Sequence, residues 1–460
     1  MIVNDVHSRL NPTEVAEVVE VESLDGLTAA VRRAADAGRA VCVAGGRHAM
    51  GGQQFVTGGT VLDTRPMNRV LALDAERGLV EAEAGIQWPE LVQGLVGTDW
   101  GIRQKQTGAD RLTLGGSVSA NSHGRGLALP PLVADVERLR LVGPDGSLVV
   151  CSRDENADLF RLVVGGYGLL GAIYSIRLRL APRVKLERVV EILEVEALVA
   201  AFEQRIADGF LYGDFQFAVD GRSEDFLHRG VFSCYRPVPA ETPIPAGQRA
   251  LVREDWQRLL WFAHADKTRA FDEYARHYLA TSGQIYWSDL HQLADYVDGY
   301  HEALDAMAGA AVPATEMISE LYVPRDRLAD FMAAAADECR RNGADVIYGT
   351  IRLIERDEET YLAWARERFA CVIFNLHTVH SEAGIAHSAA AFRRLIDLAI
   401  ERRGSFFLTY HRWASTEQVE ACYPQFREFL RLKRVHDPDE LFQSDWYRHY
   451  RFAQENPAML

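Results

Sequence analysis

The chain has little cysteine, no long apolar run and no excess of basic charge, and each shortage removes a class of function. Its six cysteines, Cys42, Cys151, Cys234, Cys339, Cys371 and Cys422, are scattered over 460 residues without a CxxC pair. Such spacing offers neither a disulfide framework nor a cysteine metal site, so reduced thiols and no bound metal are expected. No apolar stretch reaches the ~20 residues a helix needs to cross a bilayer. The start, "MIVNDVHSRLNPTEVAEVVEV", lacks a basic end followed by an apolar run. No signal peptide is therefore expected, and the expected location is the cytoplasm. The formal net charge is −15, whereas a duplex-binding surface carries basic excess to neutralise phosphates. Nucleic acid and anionic lipid are thus not expected partners. The arginine-rich run "FREFLRLKRVHDP" has helical spacing and reads as a solvated, salt-bridged face. Internal repeats and low-complexity segments are also missing.

What is present has globular proportions, with 48% hydrophobic and 25% charged residues, and the length is too great for one simple core. The first 180 residues read as strands and helices in alternation. Ser23 is a predicted N-cap for a helix from Leu24 to Ala37, with Gly38 as its stop. "AVCVAG" and "GTVLDT" read as short buried strands. "VLALDAERGLVEAEAG" and "VERLRLVGPDGSLVVCS" read as hairpins. "WPELVQGL" and "NADLFRLVVGG" read as helices, and "GAIYSIRLRLAP" as a strand ending at Pro182. After Pro182 longer amphipathic helices alternate with strand-like runs, which predicts an α+β unit with a sheet covered by helices. The proline-rich piece Val238 to Ala246 is a predicted loop or lid.

Three glycine-bearing segments carry the chemistry. "VCVAGGRHAMGGQQ" (Val41 to Gln54) places a bare loop and one Arg-His pair after a buried strand. Glycines let a backbone approach a ligand closely, and successive exposed amides form an anion cradle. No Gly-Lys-Ser/Thr follows, and no G-x-G-x-x-G enters a helix, so neither the P-loop nor the dinucleotide fingerprint applies. Taken alone, Gly45, Gly46, Gly51 and Gly52 could equally form a tight surface loop. "QTGADRLTLGGSVSANSHGRG" (Gln106 to Gly126) adds a stretch rich in small side chains, with His123 within it. "VVGGYGLLGAIYSIRL" (Val163 to Leu178) is the third. Turns alone do not account for three such segments.

In this order the segments resemble the FAD-binding domain of the vanillyl-alcohol oxidase / p-cresol methylhydroxylase family. The carriers are Gly45-Gly46-Arg47-His48, then Gly115-Gly116-Ser117 with His123-Gly124, then Gly165-Gly166-Tyr167-Gly168 with Gly171. "DPDELFQSD" is similar to the signature that returns the chain to the FAD domain in the sugar-oxidising branch, which holds alditol, aldonolactone and decaprenylphosphoryl-ribose oxidases. The resemblance implies a two-part PCMH-type FAD-binding domain (1–182 plus 425–460) and an α+β cap domain (183–424). It implies FAD contacts from Ala44, Gly45, Gly46, Arg47, His48, Ala49, Met50, Gly51 and Gln53 in the first loop. In the second it implies Thr107, Gly108, Leu114, Gly115, Gly116, Ser117, Ala120, Asn121, His123 and Gly124, and in the third Gly168, Gly171 and Ile173. His48 stands where several members bond covalently to the flavin 8α-methyl, so a histidyl link is expected; otherwise it hydrogen-bonds in the cradle. His123 is expected first to line the substrate pocket, then to orient its own loop, and last to act as a base.

The resemblance is patchier over the middle. "SELYVPR" resembles a "SEYxxPR" strand and "YGTIRLIERDEETYLAW" a "SEIR" strand, with Arg352 in the arginine position and Thr350 where the branch has an acid. His377 in "FNLHTVH" matches a pocket histidine, and "FFLTYHRW" puts Tyr410, His411 and Arg412 where the branch has a lysine. Strand alternation sets Thr350 and Arg352 on one face of their strand, and Asn375 and His377 on one face of theirs. The implied reaction removes hydride from a carbon bearing a hydroxyl on a sugar, polyol, lactone or glycosidic alcohol. Arg352 would steady developing charge, and His377, Tyr410 or His411 would take the proton. The alternative for Arg352 is an ion pair with Glu355 or Asp357. The electron acceptor is oxygen or another oxidant. Reduction of an activated C=C bond with NAD(P)H and non-catalytic flavin binding are the other readings.

Overall fold

The computed structural model describes residues 1–294, 297 and 299–455. The first helix runs Leu24–Asp36, with the Ser23 side chain accepting from the Gly26 amide. It buries Leu27, Ala30, Val31 and Ala34, the stripe that a 3.6-residue period sets against one neighbour. That neighbour is a three-stranded parallel sheet in which Thr60–Asp63 lies between Glu17–Glu20 and Val41–Ala44. Both predicted hairpins are present, Val70–Asp74 with Leu79–Glu83 and Val136–Val142 with Leu148–Ser152. They join Ala172–Pro182 in an antiparallel sheet.

Strand Lys185–Glu194, just after Pro182, opens a second, eight-stranded antiparallel sheet. Its central pairs are Val346–Ile354 with Phe369–Val379, and Phe369–Val379 with Ala314–Pro324. Helices Leu328–Asn342 and Glu382–Glu401 cover it, the latter burying Phe392, Leu395, Ile396 and Ala399. The architecture is thus α+β. One hydrophobic cluster runs through both sheets.

The C-terminal segment returns to the first part of the chain. Phe442 bridges Val41 in parallel, and the Val41 amide donates to the Leu441 carbonyl at 2.7 Å. Asp437 makes this return possible. Its buried carboxylate takes Lys433 Nζ at 2.7 Å and the amides of Leu441 and Phe442 at 2.9 and 2.8 Å. Helix Asp445–Glu455 then places Trp446 against Tyr167, with ring centroids 5.2 Å apart.

Candidate active site

A cavity of about 650 Å³ lies between the glycine segments and one face of the eight-stranded sheet. The first loop leaves strand Val41–Ala44 and turns at Arg47, which takes a φ of 59°. The glycines there have no room for a side chain. A Cβ on Gly45 would lie 2.0 Å from Thr113 Oγ1, and one on Gly46 2.2 Å from the Arg111 carbonyl. Short helix Leu114–Ala120 carries the second segment, with Thr113 accepting from the Gly116 amide. Gln54 Oε1, Gln106 Oε1, Thr107 Oγ1 and Ser122 Oγ are buried without a hydrogen-bond partner among the described residues, and all four residues line the cavity. Buried polar atoms are rarely left unmade, so this wall is built for a long, polar ligand. FAD, with its pyrophosphate and ring carbonyls, meets that description.

Of the residues the sequence assigns to FAD, Gly45, Gly46, Arg47, His48, Ala49, Met50 and Gln53 line the cavity. So do Thr107, Gly108, Gly115, Gly116, Ser117, Ala120, Gly168, Gly171 and Ile173. Six others stand behind the wall. Ala44 and Leu114 are packed in apolar clusters. Gly51 hydrogen-bonds to Gln53 Oε1. Asn121, with a φ of 48°, donates to Asp357 at 2.9 Å and accepts from the Val133 amide. His123 and Gly124 are buried one turn further on, close to Lys105 and Glu320. His48 faces His7, its Nδ1 2.7 Å from His7 Nε2. Burial, and then the neighbouring His7, hold the His48 imidazole well below the usual histidine range. It therefore stays neutral and keeps a nucleophilic lone pair.

The substrate side is written on one sheet face. Register sets Thr350 opposite Ile373 and Ile373 opposite Glu320; Arg352 faces Cys371, and Cys371 faces Tyr322. Side chains in one such row point the same way, so the Thr350/Arg352 pair and the Asn375/His377 pair share a single face. Arg352 is 4% exposed, lines the cavity, and its Nε and Nη1 have no partner among the described residues. Neither expected acid pairs with it. Glu355 is taken by Arg325 and Arg368 at 2.8 and 2.9 Å, and Asp357 by Asn121 and Thr360.

Tyr410 also lines the cavity, and its hydroxyl donates to Glu320 Oε2 at 2.7 Å. Glu320 further accepts from Tyr322 at 2.5 Å and meets His123 Nε2 at 2.6 Å. His123 Nδ1 lies 2.9 Å from the Gly124 carbonyl. Both ring nitrogens thus face oxygen acceptors, which suits the doubly protonated ring as counter-ion to Glu320. Burial works against the Glu320 charge, yet His123 and the two hydroxyls hold its carboxyl down at about 2. Burial and then Glu320 push the Tyr410 hydroxyl well up. His123 therefore orients the wall and does not line it. His377 sits behind Glu316, and His411 packs against Trp413 with ring centroids 4.1 Å apart, off the cavity wall. Sequence reasoning missed His7, Glu316 and Glu320 as site residues. For the two acids there was a signal, since "EMISELYV" sets carboxylates into an apolar strand. It also missed Arg125, Arg188 and His291, which line the far end of the cavity.

A glycine cradle over a long cavity, facing a buried guanidinium and a hydrogen-bonded tyrosine, is an arrangement that suits a flavoprotein oxidoreductase. Residues 15–152 match a protein family described as FAD binding domain. The chain is 24% identical over 445 residues to L-gulono-1,4-lactone dehydrogenase of Mycobacterium tuberculosis, covering 95% of this chain and 94% of that protein. It is 32% identical over 173 residues to L-gulonolactone oxidase of Mus musculus, 37% of each chain. A shorter match, 31% over 118 residues, is to mitochondrial L-galactono-1,4-lactone dehydrogenase of Arabidopsis thaliana, 25% of this chain and 19% of that one. The chain carries a PCMH-type FAD-binding domain and is an FAD-dependent oxidoreductase, similar to aldonolactone oxidases and dehydrogenases. Among the described residues no helix is long and apolar enough to cross a membrane.

Proposed function

We propose that the protein oxidises a CH–OH group of a sugar-derived lactone, polyol or related alcohol, and that residues 183–424 act as the cap holding that substrate. The observation that carries this is Arg352, a buried guanidinium on the cavity wall with no acid among the described residues to balance it. An unpaired buried cation is costly, and a substrate oxygen gaining negative charge would balance it. FAD, when bound, supplies the hydride acceptor. Arg352 holds the substrate oxygen in a geometry lysine does not reproduce. Tyr410 takes the hydroxyl proton as it passes its own proton to Glu320. The alcohol becomes a carbonyl, and Glu320, whose carboxyl lies at about 2, relays the proton onward to water in the cavity as the product leaves. Glu320 stands in the same cross-strand row as Thr350, so the carboxylate that the branch has at position 350 is supplied two strands away.

A histidyl link from His48 to the flavin belongs to the same proposal. Its support is the neutral, cavity-lining imidazole with His7 at 2.7 Å to receive a proton. Oxygen or another oxidant then reoxidises the flavin. A cytoplasmic location stays part of the proposal, resting on six cysteines that are all free and buried. The test is anaerobic bleaching of the flavin by aldonolactones, polyols, glycosides and nucleosides. Bleaching by one of these supports the reading. Bleaching by NADPH alone, or by no compound, overturns it.

A further inference from the structure

A second cluster sits on the same sheet face, further along strand Ala314–Pro324. Glu316 stands directly opposite His377 in the strand register. His264, from helix Arg253–Ala265, brings Nε2 to 2.9 Å from Glu316 Oε1. His301, from helix Tyr300–Ala308, brings Nδ1 to 3.1 Å from Oε2. His377 Nδ1 lies 3.9 Å from Oε1, and the Tyr300 hydroxyl hydrogen-bonds to Oε2. Glu316 is 3% exposed, and both it and His301 line the cavity.

The tautomer of His264 decides what this cluster can hold. Its Nδ1 is 2.8 Å from the Leu260 carbonyl, which can only accept. Nδ1 therefore carries a proton, and Nε2 is the nitrogen that faces the carboxylate. At that distance a cation lies between ring and carboxylate, either a proton on His264 or a metal ion. A proton on His264 would balance Glu316, but it gives nothing to His377 Nδ1, which is buried without hydrogen-bond geometry to any described residue. A metal ion uses both rings. Ligand atoms about 2.1 Å from a tetrahedral metal ion lie about 3.4 Å apart. The spacings of 2.9 and 3.9 Å bracket that value, and the three donor atoms all lie within 4.8 Å of one another. Anchoring the far nitrogen of a histidine on a backbone carbonyl is also how metal-bound imidazoles are oriented.

We propose that His264, Glu316 and His377, with His301 beside them, bind one divalent cation of borderline softness, zinc or ferrous iron by donor type. The cysteine and histidine spacing of the sequence gave no hint of it, because the ligands come from four separate elements. The test uses the full-length flavin-loaded protein, stripped with chelator, equilibrated with zinc sulfate and freed of excess by gel filtration. Zinc is then measured by plasma emission, with flavin content and melting temperature as controls for folding. The expected result is about one zinc per chain, falling below about 0.2 in Glu316→Gln and His264→Ala. A zinc K-edge spectrum should show imidazole scattering. Wild type holding less than about 0.1 zinc overturns the proposal, as does equal zinc in wild type and variants. If those variants do not fold, His377→Ala, at the more exposed edge of the cluster, is expected to weaken zinc binding at least about tenfold, and unchanged binding overturns the proposal.

Discussion

Replacing Glu320 with glutamine removes a charge and keeps the shape. In the wild type the carboxylate is fully buried and is met by His123 at 2.6 Å, Tyr322 at 2.5 Å and Tyr410 at 2.7 Å. Its carboxyl lies at about 2 instead of the ordinary 4.5. That gap corresponds to about 3 kcal/mol of stability at neutral pH. Because the folded value is the lower one, the contribution is complete above about 4.5 and is lost as pH falls toward about 2. Glu320→Gln should therefore unfold in urea about 2–4 kcal/mol sooner than wild type at pH 7, with the difference shrinking steadily as the buffer is taken to pH 3. Under the proposed proton path the variant should also reduce its flavin about 10²–10³ times more slowly, since Tyr410 has lost the anion that takes its proton. Anaerobic stopped-flow on folded, flavin-loaded protein reads the rate, and urea titration at several pH values reads the stability. A stability difference that stays the same from pH 7 to pH 3 would refute the charge argument. A normal reduction rate would refute the path through Tyr410.

Arg352→Lys should slow flavin reduction by at least about tenfold and leave the melting temperature nearly unchanged, because the guanidinium has no ion pair to lose among the described residues; a destabilised variant with a normal rate contradicts this. Acid precipitation of the wild type should carry the flavin into the pellet, and His48→Ala should release it to the supernatant. Gly45→Ala should lower flavin content and stability together, since its Cβ would be 2.0 Å from Thr113 Oγ1; a fully loaded, equally stable variant contradicts a closed cradle.

The sequence shows most where chemistry is local. The glycine loops are legible because only glycine fits a backbone pressed to a wall, and the helix at Leu24–Asp36 because its cap and apolar stripe lie within thirteen residues. Arg352 is legible through the resemblance of its strand. Glu316 and Glu320 were inside quoted or neighbouring strand sequence, yet their partners sit on other elements, 60 or more residues away for His377, Tyr410 and His123. His7 acquires meaning only through the 2.7 Å approach to His48. His411 marks the reverse failure. It adjoins Tyr410 in sequence, but neighbouring residues at a bend do not share a direction, and its ring packs on Trp413.

The bridge between Val41 and Phe442 has a consequence for synthesis. The strand that launches the cofactor loop is made early, but one of its edges is closed by residues about 400 positions later. While the chain is still being translated, that edge presents unpaired backbone groups, and the Lys433–Asp437 unit that will shape the closing segment does not yet exist. The cradle is therefore finished by a segment that emerges about 400 residues after its own strand. A truncation just after Asp437 would leave a nascent-like product with every glycine of the cradle in place and an open sheet edge beneath it.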